Sequence, residues 1–490
     1  MLRAMDPFPV LRITKDDLVP EGSFAESQAA FLKPDPAVVE ELNALLAKKK
    51  IGVVAHFYMD PELQGVLAAC DWKHIGVSDS LLMADRGIRM VAEGCETIVV
   101  LGVDFMSENA RAMLDDAGHR DTPVYRVAQE EIGCSLAESA EKQAYGAYLM
   151  QASETPRSMH VVYINTSLVT KAKAHALVPT ITCTSSNVVQ TILQASSQIE
   201  DVQIFFGPDT YMGENLESML RAYEAMDDQA VRALHPAYDA GKIAALRKRF
   251  HHFQQGNCVV HHMFGEDVVK RVKEKHADAF VTAHLEVPGE MFALALDYQH
   301  EGRGVVGSTS NILGFILRKT REVLESGSDE KLQFVLGTEA GMITPIVRQV
   351  QEILREAGSD RSVDILFPVA SEAVAQTNES LLPIVPGVAA GEGCSVAGGC
   401  ATCPYMKMNS LDALLELCRR IGEASPEELA PFEPKKYTET IDGRTAADLG
   451  GEPILHMRAF QQTDELPQTL VDDVIHRNGP GDTVAEPGVL

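Results

Sequence analysis

Three times along this chain of 490 residues, a short apolar run closes on two polar residues separated by one. IGVVAHFY ends in His56 and Tyr58, HVVYIN in Tyr163 and Asn165, and AFVTAHLE in His284 and Glu286. Such runs predict buried parallel strands whose last side chains project from the carboxyl edge. That edge is where open α/β sheets hold ligands. A hydroxyl-rich cluster follows each run: VSDS (Ser78 to Ser80), TSSN (Thr184 to Asn187) and GSTSN (Gly307 to Asn311). The apolar stretch after each cluster is expected of a helix opened by Ser/Thr caps. A second apolar strand then closes on Gly-x-acid, at Gly102 and Asp104, Gly207 and Asp209, and Gly337 and Glu339. Finally each block reaches a cysteine: Cys134, Cys258 and Cys403. One shared feature is ordinary among β/α chains; four in the same order, three times over, signal an internal repeat. The expected fold class is α/β, with three αβα three-layer domains in pseudo-threefold arrangement around a central active site.

The repeat sets the expected boundaries. Residues 1–37 read as an N-terminal extension, 38–150 as the first αβα unit, and 151–275 as the second, with an insertion over about 221–256. Residues 276–425 form the third unit, and 426–490 a C-terminal extension, partly ordered, that becomes rich in Pro, Gly and acidic residues. A formal net charge of -27 opposes a nucleic-acid footprint, since phosphate backbones select basic faces. No apolar run approaches the roughly 20 residues that span a bilayer. The opening MLRAMDPFPVLRITKDDL lacks the apolar core of a secretory signal. The expectation is a cytoplasmic protein with no membrane partner, organelle targeting being left open, whose nine cysteines are reduced thiols.

Three blocks that each deliver one cysteine to a shared centre make a three-thiolate site. A structural zinc needs a fourth closing ligand and usually draws its ligands in local pairs. An iron–sulfur cubane ordinarily takes four cysteines; held by three, it leaves one iron open to polarise a substrate oxygen. Cys70, Cys95 and Cys418 sit among apolar residues and read as core thiols. Cys183 stands at the hydroxyl-loop position of its block, where Cys134 and Cys258 have no counterpart. Cys394 and Cys400 keep open a local redox pairing with Cys403.

His56, Tyr58, Tyr163, Asn165, His284 and Glu286 all stand at expected strand ends and can converge. One such His or Tyr is ordinarily a structural hydrogen-bonder; six at matching positions point to proton transfer. The clusters containing Ser80, Ser185, Ser308 and Thr309 offer hydroxyls and helix-start N–H groups to a carboxylate or phosphate. An anionic ligand can therefore be held by neutral donors in an acidic protein. The chain carries no P-loop, no G-x-G-x-x-G after a strand, no H-E-x-x-H and no C-x-x-x-C-x-x-C.

The ordered set AHFY, SDS, GVDFMSEN, VVYINTS, CTSSN, GPDTYMGEN, GNCVVH, AHLE, GSTSNIL, VLGTEAGM and CPYMKMNSL resembles the quinolinate synthase family, in its plant-type long form. The sulfur-transfer domain that often precedes that form is not expected here. The resemblance covers roughly residues 48 to 420. It implies a 4Fe–4S cluster on Cys134, Cys258 and Cys403, with one open iron. It further implies that iminosuccinate and dihydroxyacetone phosphate condense to quinolinate, phosphate and two waters, in de novo NAD biosynthesis. Iminosuccinate binding carries over to His56, Ser80, Tyr163, Asn165, Ser185, His284, Glu286 and Thr309, with His261 as a further pocket histidine. Tyr58 matches the family's catalytic tyrosine and Glu286 its catalytic carboxylate, with His284 beside them. Implied partners are an aspartate oxidase or dehydrogenase that supplies the imine, and the iron–sulfur assembly machinery. Met59 in place of Gln, Leu285 in place of Pro and Asn109 in place of Thr depart from the family pattern without removing a ligand or proton carrier. The rival readings are another cluster-dependent hydro-lyase and a non-catalytic cluster or zinc sensor.

Overall fold

The structure, a computed structural model, describes residues 8–368 and 403–477; Cys394 and Cys400 lie outside them. The chain divides into two compact units. The first comprises Met1–Ala110, Leu114–Gly133 and Val259–Pro434, and the second Arg111–Met113, Cys134–Cys258 and Lys435–Leu490.

In chain order the strands begin with β1 (Val10–Ile13) and β2 (Leu18–Glu21), followed by β3 (Ile51–His56), β4 (Ile75–Ser78), β5 (Thr97–Leu101) and β6 (Val124–Arg126). Next come β7 (Ser158–Tyr163), β8 (Thr180–Cys183), β9 (Gln203–Gly207) and β10 (Phe250–His252). The last large group is β11 (Phe280–His284), β12 (Gly304–Gly307), β13 (Leu332–Gly337) and β14 (Val363–Leu366). Within the first unit one sheet has the order β4-β3-β5-β6, and another the order β12-β11-β13-β14-β1-β2. Within the second unit the order is β10-β9-β7-β8. Each sheet thus contains four parallel strands with the first of the block flanked by its second and third. The leading strands β3, β7 and β11 are buried along their whole length. Such strands need both faces covered, and the alternating helices supply the cover. The helix Ile343–Glu356 shows how: Ile343, Ile346, Val347, Val350, Ile353 and Leu354 are buried at helical spacing, while Arg348 and Arg355 are exposed.

The α/β expectation is borne out, and the register gives the repeat its physical form. His56 pairs with Ser78, Tyr163 with Cys183, and His284 with Gly307. The next amide then crosses to the neighbouring strand end in every sheet. Phe57 N–H reaches Ser78 O at 2.9 Å, Ile164 reaches Cys183 at 2.9 Å, and Leu285 reaches Gly307 at 3.1 Å. The helices that follow begin at matching places: Pro61–Ala69 after the cap Asp60, Leu168–Leu177 after Ser167, and Gly289–His300 after Pro288.

One sequence match slips. Ala55 pairs with Leu101, whereas Val162 pairs with Gly207 and Ala283 with Gly337. Gly102 therefore stands one residue beyond its two counterparts, because ladder hydrogen bonds, not motif spelling, fix register.

The flanking segments join the same architecture. β1 runs antiparallel to β14, and Arg12 makes a two-pronged pair with Asp364 at 2.9 and 3.2 Å. The stretch around 221–256 carries the helices Asp228–Leu234 and Ala240–Arg247 and then β10, which pairs with β9. In the second unit the helix Ala446–Thr463 lies against Leu168–Leu177. The approach is so close that a Cβ added at Gly450 would stand 2.2 Å from Leu168 O. His175 Nε2 meets Glu452 Oε2 at 3.0 Å in the same contact. Among the described residues, no helix is long and apolar enough to cross a membrane.

Candidate active site

The carboxyl ends of β3 and β11 bring His56, Tyr58, His284 and Glu286 together in the first unit. In both, the histidine ring folds back over the chain. His56 Nδ1 accepts the Tyr58 N–H at 3.1 Å, and His284 Nδ1 accepts the Glu286 N–H at 3.4 Å. A ring whose Nδ1 accepts must, when neutral, carry its proton on Nε2. Burial pushes His56 down to about 4 and His284 down to about 3, against a smaller upward pull from the Glu286 charge. At neutral pH both are uncharged N–H donors.

Tyr58 sits among these rings, 8% exposed. Its ring centroid lies 4.9 Å from His56, 5.9 Å from His261 and 6.2 Å from His284. The phenol oxygen lies 2.9 Å from Thr338 Oγ1, at the end of β13. Gly341 explains how the two sheet ends approach so closely, since a Cβ there would meet Phe57 O at 2.4 Å.

Glu286 is 2% exposed and His261 is fully buried. Glu286 Oε2 lies 3.0 Å from His261 Nδ1, and Oε1 lies 3.7 Å from His284 Nδ1. The first distance is a hydrogen bond and the second is too long for one. The donor atoms of His261, His284 and Glu286 lie within 4.8 Å of one another, close enough to consider a cation. The two imidazoles, however, are stacked at 4.9 Å with an 18° angle between planes. Lone pairs in nearly parallel planes do not meet at the roughly 2 Å that a metal–nitrogen bond needs. The group is better built to pass protons than to chelate. A second carboxyl, Glu339, is 3% exposed. Burial, and next the Glu286 charge, hold it protonated well above the usual carboxylate range, while the Cys403 backbone N–H bonds to it and opposes that shift.

The hydroxyl loops open helices. Ser80 begins Ser80–Ala92 and Thr309 begins Thr309–Ser326, both buried. The Ser308 hydroxyl is engaged in a capping box with Asn311, leaving Thr309 as the better ligand donor of the pair. In the second unit, Tyr163 ends β7 and is buried, and Asn165 and Ser185 are partly exposed. Thr184 and Asn187 lock their loop through Thr184 N–H to Asn187 Oδ1 at 2.8 Å.

The cysteines separate into two kinds. Burial pushes Cys70 and Cys95 up to about 11, Cys418 up to about 12, and Cys183 well above its ordinary value. Cys95, Cys183 and Cys418 are buried core thiols, whereas Cys70 departs from the core expectation: it is partly exposed, with its sulfur 3.8 Å from Val39 O. Cys134, Cys258 and Cys403 are partly buried and stand at helix or loop ends. Cys134 and Cys258 share the second unit, where Ser135 Oγ donates to Asn257 O at 3.2 Å and ties their two loops together. Cys403 belongs to the first unit; its amide bonds Glu339, and its thiol lies near the ammonium of Lys407. Thiols that are only partly buried stay available as metal ligands.

Thr338 and Glu339 are site residues that sequence reasoning missed. Both lie in the third Gly-x-acid closure, which had been read only as the end of a strand.

Residues 40–425 match the family described as "Quinolinate synthetase A protein". The chain is 53% identical over 485 residues to a chloroplastic quinolinate synthase of Nicotiana tabacum, covering 96% of this chain and 67% of that one. It is 51% identical over 485 residues to the chloroplastic enzyme of Arabidopsis thaliana, covering 96% and 68%. Against that of Oryza sativa subsp. japonica the identity is 50% over 498 residues, covering 97% and 70%.

Proposed function

Because the chain belongs to the quinolinate synthase family, enzymes of NAD biosynthesis, we propose that it condenses iminosuccinate with dihydroxyacetone phosphate to quinolinate, phosphate and two waters. The observation that carries this reading is the buried group of Tyr58, His284 and Glu286 at the ends of β3 and β11, joined by His261 from the short helical turn His261–Met263. The condensation moves several protons between carbon, nitrogen and oxygen, and that group offers acid and base partners out of water's reach.

Each residue has a role set by its surroundings. His56 and His284, neutral and donating from Nε2, are suited to grip the carboxylates of iminosuccinate. Ser80, Tyr163, Asn165, Ser185 and Thr309 add neutral donors for carboxylate and phosphate oxygens. Holding both substrates this way brings the two carbons to be joined into reacting range. Glu286 Oε2, steadied by His261, takes the proton released as the imine passes to its enamine form. Tyr58, whose hydroxyl Thr338 aims, exchanges a proton with the carbonyl or hydroxyl oxygen of the triose. A 4Fe–4S cluster held by Cys134, Cys258 and Cys403 would supply a Lewis acid for a departing hydroxyl.

The test is an anaerobic assay of the protein with both substrates, following triose consumption, phosphate release and quinolinate together. Equal amounts of all three support the proposal. Water loss from a hydroxy acid without triose consumption would instead indicate a hydro-lyase, and about one zinc with no sulfide would indicate a structural metal protein. The imine would be delivered by an oxidase or dehydrogenase acting on aspartate, and the cluster by the assembly machinery. The plant relatives are named as chloroplastic and lend the cytoplasmic expectation no support.

A further inference from the structure

Lys171 is a fully buried lysine, and Gln64 is 1% exposed. Each is the fourth residue of its helix, in Leu168–Leu177 and Pro61–Ala69 respectively, directly after the leading strand of its sheet. Gln64 Nε2 lies 2.8 Å from Phe57 O, 2.9 Å from Met59 O and 2.9 Å from Gly341 O, so its two N–H groups serve three carbonyls and one of them is shared. Lys171 Nζ donates to Ile164 O at 3.1 Å and to Thr166 O. Both side chains thus bracket the residue at the second polar position of the strand end: Tyr58 between Phe57 and Met59, Asn165 between Ile164 and Thr166. Three facing carbonyls fix the Gln64 amide orientation, since the flipped amide would turn its oxygen on them. The third sheet lacks the device, because the matching fourth residue of Gly289–His300 is the buried Phe292. There Glu286 is held through its own side chain by His261.

We infer that Gln64 and Lys171 are matching positioning residues, each clamping the two peptide carbonyls that flank a substrate-facing side chain. The inference rests on the reading above, in which Tyr58 and Asn165 meet substrate. A neutral amide behind Tyr58 fixes its backbone without biasing a proton-transfer group. The Lys171 amine does the same behind Asn165 from a longer stem, reaching Ile164 O and Thr166 O. Backbone carbonyls bent towards one donor hold the turn rigid, and a shift of about 1 Å in a reacting group can cost on the order of a hundredfold in rate.

Two measurements on the full chain test this: amide hydrogen exchange over residues 57–60 and 164–167, and steady-state kinetics. Gln64→Met, isosteric but without a donor, is expected to speed exchange over 57–60 alone. It is also expected to lower kcat about tenfold or more, with that loss largely absent in a Tyr58→Phe background. Lys171→Met is expected to speed exchange over 164–167 alone. Lys171→Gln, which installs the first sheet's solution, is expected to leave 164–167 better protected than Lys171→Met does. Unchanged exchange in the two methionine variants would overturn the clamps, as would losses from Gln64→Met and Tyr58→Phe that simply multiply. Exchange in Lys171→Gln as fast as in Lys171→Met would overturn the match between the two positions. A wild-type protein that makes no quinolinate would sink the functional reading instead, and the exchange arms would still judge the clamps.

Discussion

At the scale of single residues, the account turns on neutral histidines and a positioned phenol. The Tyr58 hydroxyl has Thr338 Oγ1 at 2.9 Å, so Thr338→Val is expected to lower kcat about tenfold with little change in KM, and Thr338→Ser to restore it. Tyr58→Phe is expected to cost about a hundredfold or more in kcat, the ordinary worth of a positioned proton donor. His284 titrates at about 3 in the folded protein against 6.5 as an ordinary histidine. Below about 6.5 the unfolded chain therefore takes up a proton that the folded chain refuses. Stability contributed by keeping this ring neutral is present above that pH and is lost as pH falls towards the folded value, by about 1.4 kcal/mol per unit. Glu339 works in the opposite sense, holding a proton that the unfolded chain releases. Comparing urea midpoints of the wild type and His284→Asn between pH 7 and pH 5 isolates the histidine, and the variant should show the flatter dependence. His56, Tyr58, His284 and Glu286 were legible because their spacing puts them on strand ends. Thr338 was not, since a threonine after a strand glycine carries no signal until its neighbour across the site is known.

At the scale of elements, the helix starts and leading strands follow from local pattern, while strand order, register and edge strands do not. The buried runs of β3, β7 and β11 announce themselves by continuous apolar character. The one-residue displacement of Gly102 is set by ladder hydrogen bonds between distant segments, which no local motif encodes. β1 and β10 are short and mixed in composition. Their strand character comes from the exposed edges they complete, β14 and β9, rather than from their own periodicity. Close helix contact is similarly invisible in sequence until the partner is known. Gly450→Ala would drive a methyl against Leu168 O and is expected to destabilise the second unit by about 1 to 3 kcal/mol, read from chemical denaturation. That helix packs on Leu168–Leu177, which follows directly on the Asn165 loop, so a raised KM for iminosuccinate should accompany the loss.

At the scale of the whole chain, a net charge of -27 is reconciled with anionic substrates by local means. Neutral imidazoles and hydroxyls at helix starts supply the donors, so binding is expected to depend only weakly on ionic strength. Cluster ligation by Cys134, Cys258 and Cys403 is expected to make each single Cys→Ala variant lose most of its iron and sulfide after anaerobic purification. Cys183→Ala, which removes a core thiol, is expected to keep them. The most direct measurement is the anaerobic rate of quinolinate formation from iminosuccinate and dihydroxyacetone phosphate. It should compare the wild type with Glu286→Gln at matched iron and sulfide content. The account predicts turnover by the wild type and a loss of about a hundredfold or more in the variant. Equal rates in the two proteins, or no quinolinate from the wild type, would contradict it.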